Sequence, residues 1–262
     1  MKIQINKALK EGFSILKNNP VIFLPLIFAG IIAFFTNRYL AGLVEDATAM
    51  ITYLSGEEID LSLLFSSLPI IQIVLTLLLG GIVSFYFLLT TIKLTHDSFK
   101  KTPSMGGAFT TAIKRFIPVF LASVLIFLLL AAAACISLLI LTIISALNVP
   151  QSVLTVFFVF FALLNAVLMI FLQVKLIFYP YTGVIDAKGT IDSLKTSWRM
   201  TKGNFWQIIL LTLITMAVAL LLMIIAAPFP QSVAPFIGAI VQILTTGWAI
   251  SVFTSSYLQI KS

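Results

Sequence analysis

The sequence predicts an all-α integral membrane protein: six transmembrane helices form three hairpins, each preceded by a cytosolic amphipathic interfacial helix. Three observations carry this reading: a composition too apolar for water, four long charge-free runs, and a one-sided distribution of basic residues. Of the 262 residues, 60% are hydrophobic and only 10% are charged, against roughly 25% charged in soluble domains. A chain of this length has too little polar surface to cover a core in water. The charge-free runs cover residues 18–37, 61–92, 116–174 and 205–260, and about 20 apolar residues suffice to cross a hydrocarbon layer of roughly 30 Å.

Run 18–37 is one span, beginning near Pro20. The basic start before it has the look of a secretion leader. However, residues 1–19 are long for a leader's basic region and Phe35–Arg38 offers no small-residue cleavage pattern, so an uncleaved span is expected. An external acidic loop follows at about 37–66, holding Glu45, Asp46, Glu57, Glu58 and Asp60. Leu40, Val44, Ala47, Ile51 and Leu54 predict an amphipathic helix within it, and Asp60 is placed to cap a short helix over 61–65. The second span falls at about 68–92. As a single helix, run 116–174 would be about 88 Å long at 1.5 Å per residue, so it must fold back. Asn148 and Pro150 mark that turn, and Pro228 and Pro230 mark its counterpart in run 205–260.

With the N-terminus inside, fifteen of the sixteen Lys and Arg residues fall on the cytoplasmic side, and only Arg38 lies outside. Bases concentrate on that side of membrane proteins. The expectation is a multi-pass protein of the cell membrane with both termini cytoplasmic. The formal net charge of +7 is explained by this orientation. Nucleic acid is not an expected partner, because the bases are not interleaved with aromatic residues and most Phe lie inside apolar runs.

The chain also repeats itself. Residues 7–20 align without gaps to 192–205: Leu9, Lys10, Lys17 and Asn19 recur as Leu194, Lys195, Lys202 and Asn204, and Phe13 matches Trp198. A weaker copy runs from Ser104 to Pro118. A single membrane domain over 1–262 is expected, with repeat units of about 1–95, 96–180 and 181–262. In the first pre-span helix Ile5, Leu9, Gly12, Phe13 and Leu16 form the predicted apolar stripe. In the third, Ile191, Leu194, Trp198, Thr201 and Phe205 do so. Lys10 and Lys17, and likewise Lys195, Arg199 and Lys202, lie on basic faces and are the candidate contacts for anionic lipid headgroups. Ser104 and Thr190 are candidate N-caps.

Stretches 8–20 and 193–206, with Leu9, Lys10, Gly12, Phe13, Lys17 and Asn19 in one and Leu194, Lys195, Trp198, Lys202, Asn204 and Trp206 in the other, resemble the membrane domain found on some glycerophosphoryl diester phosphodiesterases and its stand-alone relatives. That resemblance implies a six-helix membrane domain largely without assigned activity. These residues contain no barrel-like segment with a catalytic Glu, Asp and His set, so hydrolysis is not carried over.

Chemistry-bearing motifs are scarce. His96, the only histidine, adjoins Asp97 with no nucleophile or second ligand in its motif; a helix-end histidine satisfied by hydrogen bonds is the expected role. Cys135, the only cysteine, reads as a packing residue. Glu57, Glu58 and Asp60 lack the spacing of a calcium loop. No cofactor or metal is expected. Intramembrane polarity is limited to uncharged residues, with no acid inside a span. Asn165, Gln173, Gln242, Thr245 and Thr246 are candidates either for a polar path or for helix packing. The expected function is non-enzymatic, a lipid-associated scaffold or accessory subunit. Its expected partners are the anionic inner leaflet and either another membrane protein or a second copy. The alternative is a transporter or permease for a hydrophobic or amphipathic substrate, and an enzyme built around His96 and Asp97 ranks third.

Overall fold

A computed structural model describes residues 2–54, 70–100, 102–147, 149–230 and 233–261, without side chains at 44, 46–54 and 70. The described residues are helical, with turns and no strand. In chain order the helices are α1 (Ile5–Asn18), a 3₁₀ turn at Pro20–Ile22, α2 (Phe23–Leu54), α3 (Ile70–Phe99), α4 (Met105–Ala146), α5 (Gln151–Leu176), α6 (Tyr179–Val184), α7 (Thr190–Thr201), α8 (Phe205–Ala226) and α9 (Ala234–Lys261). Among the described residues, six helices are long and apolar enough to cross a membrane.

Local chemistry explains where the spans begin and turn. Pro20 opens the 3₁₀ turn that leads into α2, where its missing N–H costs nothing. Pro150 sits at the N-cap of α5 with an extended ψ of 142°. The Pro228 and Pro230 region separates α8 from α9. The predicted separate helix over residues 40–54 is instead the continuation of α2. That stretch contains no Pro and one Gly, Gly42, and a single Gly costs about 1 kcal/mol without ending a helix. The acidic residues Glu57, Glu58 and Asp60, and the short helix expected after them, lie outside the described residues.

The second pre-span segment also departs from expectation. It is the first part of the 42-residue α4, which runs through Pro118 without a break. Packing compensates for the bond the proline removes. Val119 and Ala122 are buried, Gly183 of α6 sits directly against Val119, and Thr190 Oγ1 donates to the Pro118 carbonyl at 3.0 Å. Ser104 caps α4 as predicted, its hydroxyl accepting from Gly107 N–H at 3.3 Å. Thr190 is the first residue of α7, and Gly189 holds the cap position.

Burial is concentrated at one end of the bundle, where α1, α6 and α7 lie; we call it the proximal end. Leu89, Ile92, Val119, Phe178, Ile208, Leu211, Val252 and Tyr257 form one cluster there, and Leu16, Ile22, Leu94 and Ala108 form a second. In the two spans of α4 and α5 none of the most apolar window is buried. Phe127, Leu138, Val156, Phe160 and Leu163 are all largely exposed. Such a surface is stable only where the surrounding medium is itself apolar.

At the proximal end each short helical segment docks on a neighbouring span. α1 packs on α9, α4 begins against α3, and α7 packs on α5 and α6. The α1–α9 contact runs antiparallel: Gln4 N–H donates to Gln259 Oε1 at 2.8 Å, Ser255 Oγ donates to Glu11 Oε2 at 2.6 Å, and Gly12 meets Val252. The main chain of Ile3 is tied to Asn204 Oδ1, at the start of α8, at 3.0 Å.

Candidate functional site

The residues that α1 and α7 bury match the predicted apolar stripes only in part, at Gly12, Leu16 and Thr201. α1 buries Ala8, Gly12 and Leu16, and Phe13 is 63% exposed. α7 buries Ser193, Ser197 and Thr201, leaving Ile191 58% and Trp198 43% exposed. The reason lies in what α7 covers. Between α5 and α6 the helix is interrupted and its backbone groups need partners. Ser197 Oγ accepts from Phe178 N–H at 3.1 Å and donates to the Lys175 carbonyl at 3.1 Å, and Thr182 Oγ1 donates to the Ser193 carbonyl at 3.2 Å. Small hydroxyl side chains allow this close approach and satisfy the break, which larger apolar residues would not do.

The outward face that results combines aromatic and basic groups. Lys10, Lys17, Lys195, Arg199 and Lys202 are all exposed, and among the described residues none of the five makes an ion pair. Beneath Lys10 and Lys17 lies an apolar cleft of about 850 Å³ between α1, α8 and α9, walled by Phe13, Phe23, Val218, Leu222, Leu244 and Trp248. A shallower cleft of about 540 Å³ lies beside α7, where Leu194, Lys195, Trp198 and Arg199 meet Leu176. Lys175 has its ammonium 5.3–5.7 Å from the ring centroids of Phe171, Trp198 and Phe205. This is a cation–π arrangement that ties α7 to the end of α5.

The five polar span residues are not brought together. Asn165 donates to Ser137 Oγ of α4 and to the Phe161 carbonyl, each at 2.8 Å, and so joins α4 to α5. Gln173 is exposed on the outer face of α5. Gln242 and Thr246, one turn apart, line a crevice of about 340 Å³ between α2, α3 and α9, and Gln242 also lines a cavity of about 780 Å³ near Asn37 and Arg38, between α2, α8 and α9. Thr245 points away from that crevice into the α1 cleft, its hydroxyl bonded to the carbonyls of Val241 and Gln242. Asn165 and Gln173 line neither cavity and Thr245 lines the α1 cleft, so these cavities do not form a single polar path through all five residues.

His96 is 6% exposed, and its Nδ1 lies 3.2 Å from Asp97 Oδ1, an oxygen that also takes Lys93 Nζ at 2.7 Å. The contacts stay within one helix. Among the described residues no group of three or more His, Cys, Asp or Glu could hold a metal. Sequence reasoning missed the Asp186 hub, where Tyr257 Oη donates to Oδ2 at 2.6 Å and Lys261 pairs with Oδ1. These groups are 71 and 75 residues apart in sequence, so no local pattern points to them. The Ser193–Ser197–Thr201 spacing was a readable signal, since small residues four apart mark close helix contacts.

The fold and its uncovered apolar belt define a class, the all-helical multi-pass membrane proteins. Within it, the chain belongs to the family described as a domain of unknown function (DUF7847), whose model matches residues 3–258. No curated protein and no solved structure matches the chain. Nothing in these comparisons connects it with glycerophosphoryl diester phosphodiesterases.

Proposed function

We propose that this chain is a non-enzymatic, lipid-associated scaffold or accessory subunit of the cell membrane, with both termini cytoplasmic and the proximal end at the anionic inner leaflet. The observation that carries the proposal is the set of five exposed cations without ion-pair partners among the described residues, Lys10, Lys17, Lys195, Arg199 and Lys202, placed beside the exposed rings of Phe13 and Trp198. Bases near an anionic surface contribute about 1 kcal/mol each, and aromatic residues favour the same zone.

Three repeat units built as hairpins fit this reading. The helices of the three pre-span segments begin at Ile5, Met105 and Thr190, and Ile5 and Thr190 share a register when the alignment of 7–20 to 192–205 is extended by two residues. Their buried positions coincide as Ala8, Ala108 and Ser193, then Gly12, Ala112 and Ser197. Each docks on a span of the preceding unit, with α1 on α9 closing the ring. The likeness to the phosphodiesterase-linked membrane domain belongs to this proposal as a resemblance in architecture alone.

The test is lipid enrichment around the reconstituted protein. Changing all five bases to Gln is expected to abolish the excess of anionic over zwitterionic lipid in the annulus while the fold persists. An unchanged excess refutes the proposal. The transporter reading has one observation in its favour, the crevice at Gln242 and Thr246.

A further inference from the structure

We infer that the cleft between α1, α8 and α9 holds one anionic glycerophospholipid, its hydrocarbon chain between the spans and its phosphate between Lys10 and Lys17. The inference rests on the lipid-associated reading above and adds to it a discrete, stoichiometric site.

Register within the repeat is the first argument. Leu9, Lys10 and Phe13 line the α1 cleft, and their aligned counterparts Leu194, Lys195 and Trp198 line the α7 cleft. The positions that pack into the protein have changed chemistry between the two copies, from Ala8, Gly12 and Leu16 to Ser193, Ser197 and Thr201. The outward-facing set has kept its chemistry: an aliphatic residue, a lysine and an aromatic ring. Packing against the fold accounts for Leu9, which borders the core cluster, but not for Lys10 and Phe13, which are exposed. Contact with a common external ligand does account for it.

Chemistry of the walls is the second argument. Phe23, Val218, Leu222, Leu244 and Trp248 offer hydrocarbon and rings, and the Thr245 hydroxyl is already bonded to backbone carbonyls. A volume of about 850 Å³ falls within the roughly 300–1,000 Å³ of small-molecule sites. The occupant's buried part is therefore apolar.

Placement of charge is the third. Lys10 and Lys17 are seven residues apart, two turns along one face of α1 and about 10.5 Å in rise, and both line the cleft without an ion-pair partner among the described residues. The walls extend inward along the spans: Leu244 lies eight residues, about 12 Å, along α9 from Val252, which Gly12 meets. An anionic head at one end and a chain following two spans inward is the shape of a phospholipid from the adjoining leaflet.

The test uses the full chain with Trp198→Phe and Trp206→Phe, which leaves Trp248 on the cleft wall as the sole indole. In nanodiscs of phosphatidylcholine, phosphatidylglycerol with brominated chains is titrated and quenching of Trp248 is followed. The expected result is saturation at one lipid per chain, with brominated phosphatidylcholine far weaker. Lys10→Gln with Lys17→Gln should weaken apparent affinity about 30-fold, from about 1 kcal/mol for each lysine. Val218→Phe with Leu222→Phe should abolish saturable quenching while the annular excess of anionic lipid, set by the surface bases, is unchanged. Quenching that is unsaturable, indifferent to headgroup, or unaffected by the filled cleft overturns the site. Loss of the annular excess only on neutralising all five bases leaves the lipid-associated reading standing when the cleft itself fails.

Discussion

Adding a single methyl group at Gly12 tests how α1 is held. An ideal Cβ there would lie 2.8 Å from Val252 Cγ2, 2.9 Å from its backbone N and 3.1 Å from its Cα. The clash is partly with main chain, so no rotamer change relieves it and α1 must move away from α9. Overpacking of this kind costs about 1–3 kcal/mol, and Gly→Ala in a helix returns about 0.5–1 kcal/mol. The expected net loss is about 1–2 kcal/mol, which raises the undocked population about 5–30-fold. Limited trypsin digestion reads this directly, because Lys10 and Lys17 sit on α1 and cleavage of a helix requires local opening. When reclosing is fast, the cleavage rate follows that population. Gly81→Ala is the control: nothing lies within 4 Å of its added Cβ, so stability should hold or rise and cleavage at Lys10 and Lys17 should not accelerate. If Gly12→Ala is cut no faster than the parent, or both variants respond alike, the close α1–α9 contact is not what retains α1.

Ser197→Ala removes the acceptor for Phe178 N–H and the donor to the Lys175 carbonyl, for an expected loss of about 1–3 kcal/mol; an unchanged thermal midpoint would show that these groups find other partners. Asn165→Leu deletes the bond to Ser137 between α4 and α5 and should cost about 0.6 kcal/mol, at most about 1.7, measured as a shift in a detergent unfolding curve. A larger loss would give Asn165 a role beyond packing. Tyr257→Phe keeps the rings stacked on Tyr181 and removes the donor to Asp186; about 1.5–3 kcal/mol should be lost, and retention of full stability would assign Asp186 to Lys261 alone. A reporter active only outside the cell, fused to either terminus, should stay silent; a signal would reverse the proposed orientation and remove the anionic leaflet from the bases of α1 and α7.

The spans and turns were legible because the forces that set them are local. Pro150 and Pro228 interrupt helices by their own covalent geometry, and a run such as 205–226 partitions into hydrocarbon whatever surrounds it. The candidate site was legible only in part. The five bases were identified from sequence and stand exposed, but the predicted stripes of α1 and α7 are split: Gly12, Leu16 and Thr201 are buried, together with Ala8, Ser193 and Ser197 from outside the stripes. Phe13, Ile191 and Trp198 point outward. Apolarity is a guide to burial in water, where leaving the solvent is the driving force. Beside lipid, an apolar side chain gains little by turning inward, and close approach and backbone satisfaction decide instead.

By itself, the sequence determined the class of protein, its six apolar spans and the proline-marked turns between them, since each depends on a segment's own hydrophobicity or covalent geometry. Only the tertiary structure decided that Gly12 meets Val252, that Ser197 serves the break between α5 and α6, and that Lys10 and Lys17 overlook a cleft walled by Leu222 and Trp248. Those pairings join residues far apart in the chain, and their energies arise from shape and hydrogen-bond geometry that exist only after the helices have packed.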